Sequence, residues 1–315
     1  METIKPFVKW AGGKNGLLSQ LKNFYPYELE NGKIERYIEP FVGGGAVLIN
    51  VLQEYDVKEA YAFDINKDLI NCYNVIKNNV EELIEKLNNV EKEFIKLDEE
   101  NRQRYFYEVR KEYNLYKITE ELNVKRATEF IFLNRTCFNG LYRVNKNGEF
   151  NVPCGKYKNP TICDTKNIRN LSKLIKNVIF EYGDYKKSEK YVDNETFVYF
   201  DPPYRPLSIT SGFTSYTKED FNDENQKELG RYFRVLDRKN AKLMLSNSNP
   251  KNTNENDTFF EEIYKGFYIN EVSAKRMINS NCKGRGEISE LLITNYKEVE
   301  ECIQENSTLK MVVSN

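Results

Sequence analysis

The chain has 315 residues, 40% of them apolar and 30% charged, which is the composition of a globular protein long enough for one large domain or two. Its 47 basic and 48 acidic residues leave a net charge of −1, so there is no global basic field and any nucleic-acid partner has to be held by local patches. Histidine is absent, which excludes Ser-His and Cys-His nucleophile pairs and the usual His-containing zinc sites, and six scattered cysteines without a C-x-x-C pair support neither a zinc ribbon nor a redox motif.

No apolar run is long enough to span a bilayer, and Lys5, Lys9 and Lys14 interrupt any apolar leader, so a cytoplasmic protein with no membrane partner is expected. The opening Phe7-Val8-Lys9-Trp10-Ala11-Gly12-Gly13-Lys14 leads into Leu17, Leu18 and Leu21, which read as a first helix. It is not a phosphate-binding loop of the Walker type: Val8 stands where the first glycine belongs, and Asn15 where Ser or Thr should follow the lysine. Trp10, beside two glycines and Lys14, reads either as a lid over a zwitterionic ligand or as a core anchor.

A strand at Tyr37–Phe41, a turn at Val42-Gly43-Gly44-Gly45 and a helix from Ala46 to Leu52 follow. That order lets the backbone approach a ligand closely beside an exposed helix N-terminus. Leu48 occupies the third position of a G-x-G-x-x-G pattern begun at Gly43 and Gly45, which argues against a pyrophosphate dinucleotide. A second strand, Ala60–Phe63, ends at Asp64, about 20 residues beyond the glycines, where a carboxylate can take ribose hydroxyls. The two features together point to a nucleoside-containing cofactor without pyrophosphate.

Residues from Asn66 to about Asn78 read as a helix, and the rhythm then changes. Leu83, Leu87, Val90, Phe94 and Leu97, and again Phe106, Val109, Tyr113 and Tyr116, step by three and four, as amphipathic helices do. A third helix runs from about Lys125 to Asn134. Three helices without an intervening strand break the βα alternation and predict an inserted helical domain. Its last part runs Asn139–Asn145, then Lys146-Asn147-Gly148, then Glu149–Pro153, and an Asn-Gly turn between alternating residues predicts a β-hairpin. From Ile131 to Pro160 five cations (Arg135, Arg143, Lys146, Lys156, Lys158) face Glu149 alone, a local net charge of +4, with Phe138, Tyr142, Phe150 and Tyr157 interleaved. Such a hairpin suits groove recognition of DNA; a simple cap on the helical insert is the other reading.

The α/β rhythm resumes with a strand at Val178–Tyr182 leading to Gly183-Asp184, and another at Thr196–Phe200. A helix near Asp223–Arg238, a strand at Ala241–Ser246 and a closing antiparallel pair at Ile269–Val272 and Leu291–Asn295 follow. Lys275 to Gly286 has four cations and no acid, a candidate phosphate-contacting loop. The strand Thr196–Phe200 is apolar throughout, as a central strand covered on both faces should be, and places Asp201-Pro202-Pro203-Tyr204 at its carboxyl end, where open α/β sheets bind ligands. The prolines keep Asp201 and Pro202 extended and supply no N–H, so a carboxylate and a carbonyl can accept both hydrogens of an exocyclic amino group while Tyr204 offers a stacking face. A rigid turn with a solvated Asp is the alternative. Leu207–Thr217, rich in Ser and Thr, is the natural flap over the crevice.

This order of motifs, from Phe7–Lys14 through Glu39–Gly45, Asp64-Ile65-Asn66, Asn139–Arg143 and Glu149–Pro153 to Asp201–Tyr204, closely resembles the DNA adenine methylase (Dam) family over about Ile4 to Tyr296. The resemblance implies an α/β fold: a Rossmann-like methyltransferase sheet built from 1–78 and 176–300, a target-recognition domain of helices and a β-hairpin inserted at 79–175, and a tail at 301–315. It implies methyl transfer from S-adenosylmethionine, without a metal, to N6 of a flipped adenine in duplex DNA, in the sequence GATC. By residue match, Asp201, Pro202, Pro203 and Tyr204 would be catalytic. Trp10, Lys14, Phe41, Gly43, Gly45, Asp64, Asp184 and Asp201 would bind the cofactor. Lys9, Arg135, Phe138, Asn139, Leu141, Arg143, Pro153, Lys156 and Tyr157 would meet DNA, with Leu141 at the hairpin tip. Lys156 departs from the arginine common in the family, which keeps the charge and loses the bidentate fork. A role beside a restriction endonuclease is compatible with this reading, and the oligomeric state is not legible. RNA-base and protein-amide N-methyltransferases share the tetrapeptide, but the basic hairpin and the position of Lys9–Lys14 ahead of the glycine turn argue against them. A catalytically silent DNA-binding regulator is opposed by the intact Asp201–Tyr204.

Overall fold

The structure, a computed structural model, describes residues 3–115, 123–206, 221–275 and 287–297. The flap expected at Leu207–Thr217, the basic loop beyond Lys275 and the tail beyond Lys297 lie outside the described residues.

The apolar runs become seven strands: β1 (Arg36–Glu39), β2 (Glu59–Asp64), β3 (Val178–Tyr182), β4 (Thr196–Phe200), β5 (Lys242–Ser248), β6 (Tyr268–Lys275) and β7 (Glu287–Thr294). They form one sheet in the order β3-β2-β1-β4-β5-β7-β6. β1 through β5 are parallel, and β7 runs antiparallel to both β5 and β6. Every residue of β4 is buried, as a strand between two covered faces requires. Side chains alternate across the sheet: Tyr37, Phe197 and Tyr199 join one apolar cluster, while Ile38, Val198 and Phe200 join the other. β1 pairs with β2 on one side and β4 on the other, so the winding reverses there and a crevice opens at the carboxyl ends of those strands.

The first helix expected at Leu17, Leu18 and Leu21 is present but short, within a broken segment from Lys14 to Glu30. That segment is a 3₁₀ turn at Lys14–Gly16, a short α1 (Leu18–Leu21), another 3₁₀ turn at Lys22–Phe24, and α2 (Tyr27–Glu30). Pro26 explains the second break, because Tyr25 before it is extended (φ −65°, ψ 146°). α3 (Ala46–Glu54) follows the glycine turn. α4 (Lys67–Asn78) starts immediately after Asp64 because the Asn66 side chain accepts the Leu69 N–H at 3.0 Å. α5 (Val80–Lys96), α6 (Glu99–Leu115) and α7 (Val124–Thr136) are the amphipathic helices read from the spacing. The sequence reading missed α8 (Thr165–Leu174), which is capped by Asp164 and buries Ile168 and Leu171.

One buried cluster continues from the sheet through α3 and α4 into α5–α8, so residues 79–175 share their apolar core with the sheet. α9 (Asp223–Asp237) and α10 (Phe259–Ile263) cover the other face. A polar bond also ties the insert to α4. Arg126 on α7 meets Asp68 on α4 through Nε–Oδ1 (3.0 Å) and Nη2–Oδ2 (2.9 Å), and Tyr113 on α6 donates to the same carboxylate at 2.5 Å. Among the described residues no helix is long and apolar enough to cross a membrane.

Candidate active site

The glycine turn after β1 is shaped by close approach. Gly43 and Gly45 have φ of +46° and +72°, a region that only glycine enters readily. A Cβ on Gly43 would lie 2.9 Å from the Trp10 indole, and one on Gly45 would lie 2.4 Å from the Tyr73 hydroxyl, which itself donates to the Gly43 carbonyl at 2.9 Å. Trp10 therefore sits on the turn, and its ring stacks on Tyr142 at 5.5 Å. It is half-buried and packed against the core, as the anchor reading expects.

Asp64 ends β2 with its carboxylate turned to this turn. Oδ2 accepts the Gly43 N–H at 3.0 Å and Oδ1 accepts the Asn66 N–H at 2.8 Å. Burial pushes this carboxyl up to about 6, against the pull of the N–H groups of Asn66, Gly43 and Ile65. Each oxygen keeps a further lone pair for a ligand hydroxyl. Phe41 lies below the crevice, stacked on Tyr185 at 5.3 Å. Asp184, just past the end of β3, is exposed and caps a 3₁₀ helix by accepting the Lys186 N–H at 2.9 Å.

At the end of β4, Asp201 is brought against Lys14 from the N-terminal segment, Nζ to Oδ1 at 2.7 Å, with the Lys14 side chain 4% and that of Asp201 22% exposed. Lys14 Nζ also donates to the Gly12 carbonyl at 2.8 Å and lies 4.6 Å from the centroid of the Tyr204 ring. Burial raises the Asp201 carboxyl above the ordinary range, the Lys14 ammonium opposes that shift, and Glu290 adds to it. Glu39, at the end of β1, is pushed well above the carboxylate range, first by burial and then by Asp201. It accepts from the Tyr37 hydroxyl at 3.2 Å.

The two acceptors of the tetrapeptide are distinguished by the structure. The Pro203 carbonyl is occupied by Gln226 Nε2 at 2.9 Å. Among the described residues, the Pro202 carbonyl and Asp201 Oδ2 receive no hydrogen bond. One carboxylate oxygen and one carbonyl are thus without a partner among the described residues, beside the Tyr204 ring. Gln226 and Asn247, which hold this loop, carried no sequence signal, because their partners lie on other elements.

The N-terminal strip is pinned to the insert by Asn134, which accepts the Lys9 N–H (2.8 Å) and donates to the carbonyls of Lys9 (2.8 Å) and Gly140 (3.1 Å). Lys9 Nζ is over the Tyr157 ring at 4.5 Å. Arg135 is half-buried, and its Nε donates to the Phe7 carbonyl at 3.1 Å. Asn139 and Gly140 form a left-handed pair (φ +56° and +64°) that leaves Phe138 exposed. The expected hairpin closes through a Val144–Phe150 bridge, with Lys146-Asn147-Gly148 at its tip. Leu141 is thus not at the tip: it is half-buried at the base and packs on the core. Arg143, Pro153 and Lys156 are exposed, and Arg143 Nε donates to Asn151 Oδ1 at 2.7 Å.

A mixed seven-stranded sheet that winds both ways from β1, with a glycine turn after β1 and Asp201–Tyr204 at the end of β4, is the architecture of a Rossmann-like methyltransferase. Residues 10–278 match the model of the D12 class N6 adenine-specific DNA methyltransferases, and the chain belongs to that family. It is 55% identical over 296 residues to the type II methyltransferase M.MjaIII of Methanocaldococcus jannaschii, covering 93% of this chain and 99% of that one. It is 39% identical to the type II methyltransferase M1.LlaDCHI of Lactococcus lactis subsp. cremoris, over 93% and 96% of the two chains. It is 34% identical to the DNA adenine methylase of Escherichia coli K12, over 93% and 95%. The protein is an enzyme that methylates adenine in DNA, and membership of a methyltransferase family implies S-adenosylmethionine as the methyl donor.

Proposed function

We propose that the enzyme methylates the adenine of GATC in duplex DNA, taking the base out of the helix into the crevice beside Asp201 and Tyr204. The observation that supports this most is the free acceptor pair, Asp201 Oδ2 and the Pro202 carbonyl, next to a ring held at its hydroxyl end. The adenine amino nitrogen is a poor nucleophile because its lone pair is delocalised into the ring. Acceptors on both of its hydrogens favour a more pyramidal nitrogen whose lone pair is available. S-adenosylmethionine, when bound, supplies an electrophilic methyl carbon.

Asp64 at the glycine turn fits that cofactor: its carboxylate, already facing the Gly43 and Asn66 N–H groups, is an acceptor for ribose hydroxyls. Trp10, Lys14, Phe41, Gly43, Gly45, Asp64, Asp184 and Asp201 form the proposed binding set, with Asp184 offering the carboxylate oxygen its cap leaves over. Asp64→Ala should weaken cofactor binding in calorimetry by about 1.5 to 3 kcal/mol, roughly tenfold to a hundredfold. A hydroxyl donor favours the ionised carboxyl, so affinity should be flat above about pH 6 and fall below it. In Asp64→Asn that pH dependence should vanish; its persistence would remove Asp64 from the ribose site.

Residues 79–175 serve in this reading as the recognition unit, with Lys9, Arg135, Phe138, Asn139, Leu141, Arg143, Pro153, Lys156 and Tyr157 around the DNA. Removing a base from the stack costs a few kcal/mol, which an inserted apolar side chain can offset. Exposed Phe138 is better placed for that than half-buried Leu141. The Arg143–Asn151 bond orients the guanidinium and leaves its two terminal nitrogens for guanine O6 and N7. Arg143→Ala should cost about 1 to 3 kcal/mol on the cognate site and relax discrimination at one guanine. Lys156→Ala should weaken all sequences about equally and lower the salt dependence. The type II names of two relatives support work beside a restriction endonuclease of the same target. The target itself is tested by digesting treated plasmid with one nuclease that cuts only methylated GATC and one that cuts only the unmethylated site. Methyl incorporation that changes neither digest would sink GATC.

A further inference from the structure

Tyr204 is held by a residue outside the motifs of the sequence. Its hydroxyl donates a 2.5 Å hydrogen bond to Glu290 Oε2, 86 residues further along the chain. Glu290 lies on β7, paired with Ser248 of β5, so it reaches the crevice from the strand beyond β5.

The backbone around Tyr204 is strapped down on both sides. Gln226 holds the Pro203 carbonyl, Asn247 Oδ1 accepts the Arg205 N–H at 3.1 Å, and Ser248 Oγ donates to the Arg205 carbonyl at 2.7 Å. Those bonds fix the main chain and leave the ring free to turn about its two side-chain torsions, of which the second is broad for aromatic residues. A bond at the hydroxyl anchors the far end of the ring and so fixes the first torsion and where the ring lies, with Lys14 Nζ over its face at 4.6 Å, and a carboxylate makes that bond short and strong. The arrangement has an electrostatic penalty, because Glu290 opposes ionisation of the nearby Asp201 carboxyl. A second carboxylate beside Asp201 calls for a compensating use.

We propose that Glu290 is a positioning residue for the reaction: its carboxylate fixes the position of the Tyr204 ring on which the flipped adenine stacks beside the Asp201 and Pro202 acceptors. This rests on the stacking role given to Tyr204 above.

The test compares Glu290→Ala, Glu290→Gln, Tyr204→Phe, the Glu290→Ala/Tyr204→Phe double variant and Tyr204→Ala. Each is assayed for kcat on a duplex that the wild type methylates, for cofactor Kd, and for fluorescence of 2-aminopurine placed at the target position. Glu290→Ala should lower kcat roughly tenfold and alter the 2-aminopurine signal, with cofactor Kd unchanged. Glu290→Gln keeps an oxygen that can accept from the phenol and should recover most of the loss. In the Tyr204→Phe background, Glu290→Ala should add nothing, since the hydrogen bond is already gone. Equal losses in both backgrounds, or a Glu290→Gln variant as poor as Glu290→Ala, would overturn the proposal. Wild-type kcat in Tyr204→Ala would overturn the stacking role itself, which separates the failure of that reading from the failure of this one.

Discussion

Asp201→Asn is expected to lower kcat by at least about a hundredfold while the protein stays folded and still binds cofactor. The size follows from replacing a preorganised electrostatic partner of the reacting group. The amide keeps one oxygen, which Lys14 Nζ claims at the position of Oδ1, and it turns the free acceptor Oδ2 into a donor that repels the amino hydrogens. Asp201→Ala is the less clean variant. It strips the partner from a Lys14 side chain that is 4% exposed, and leaving such a charge unpaired destabilises the fold. A loss of activity in Asp201→Ala therefore has to be read with its melting temperature, whereas Asp201→Asn separates the two. An Asp201→Asn variant with more than a tenth of the wild-type kcat would remove the carboxylate from the chemistry.

The second large effect is on stability. Arg126→Ala should cost about 3 to 5 kcal/mol, because it leaves the Asp68 carboxylate with Tyr113 as its remaining side-chain partner in a site where the Arg126 and Asp68 side chains are 11% and 16% exposed. The guanidinium also lies 3.4 Å from the centroid of the Tyr113 ring and donates to the Tyr113 carbonyl, so packing is lost along with charge. For a chain of this size the melting temperature should fall by roughly 5 to 15 °C. Arg126→Lys keeps the charge without the fork and should lose less. A fall of under 2 °C in Arg126→Ala would mean that α4, α6 and α7 are held together by apolar packing alone.

The strands were legible because each is a short apolar run, and β4 most of all because nothing polar interrupts Thr196–Phe200. Asp64 was legible as the end of β2 for the same reason. What could not be read is the pairing of elements distant in sequence. Neither Glu290 beneath Tyr204 nor Asn134 clamping Lys9 carries a local signature, since their partners lie 86 and 125 residues away. α8 does carry a local signal, the Asp164 cap with Ile168 and Leu171 at helical spacing. The hairpin and its turn at Lys146-Asn147-Gly148 were legible, and only Leu141 was misplaced at the tip. Two Asn-Gly pairs compete for the turn, and the pair at Asn147-Gly148 closes it while Asn139-Gly140 makes the left-handed bend against Lys9. The Dam-family resemblance and the methyltransferase fold agree with the family match over residues 10–278.

The account turns on one acceptor pair at the end of β4 acting on the amino group of adenine in DNA. The most direct measurement is mass spectrometry of nucleosides from duplex DNA incubated with S-adenosylmethionine and either the wild-type enzyme or Asp201→Asn. The account predicts N6-methyladenine with the wild type, and its near absence with the variant at a cofactor concentration that saturates it. Another methylated base with the wild type, or N6-methyladenine formed equally well by the variant, would contradict it.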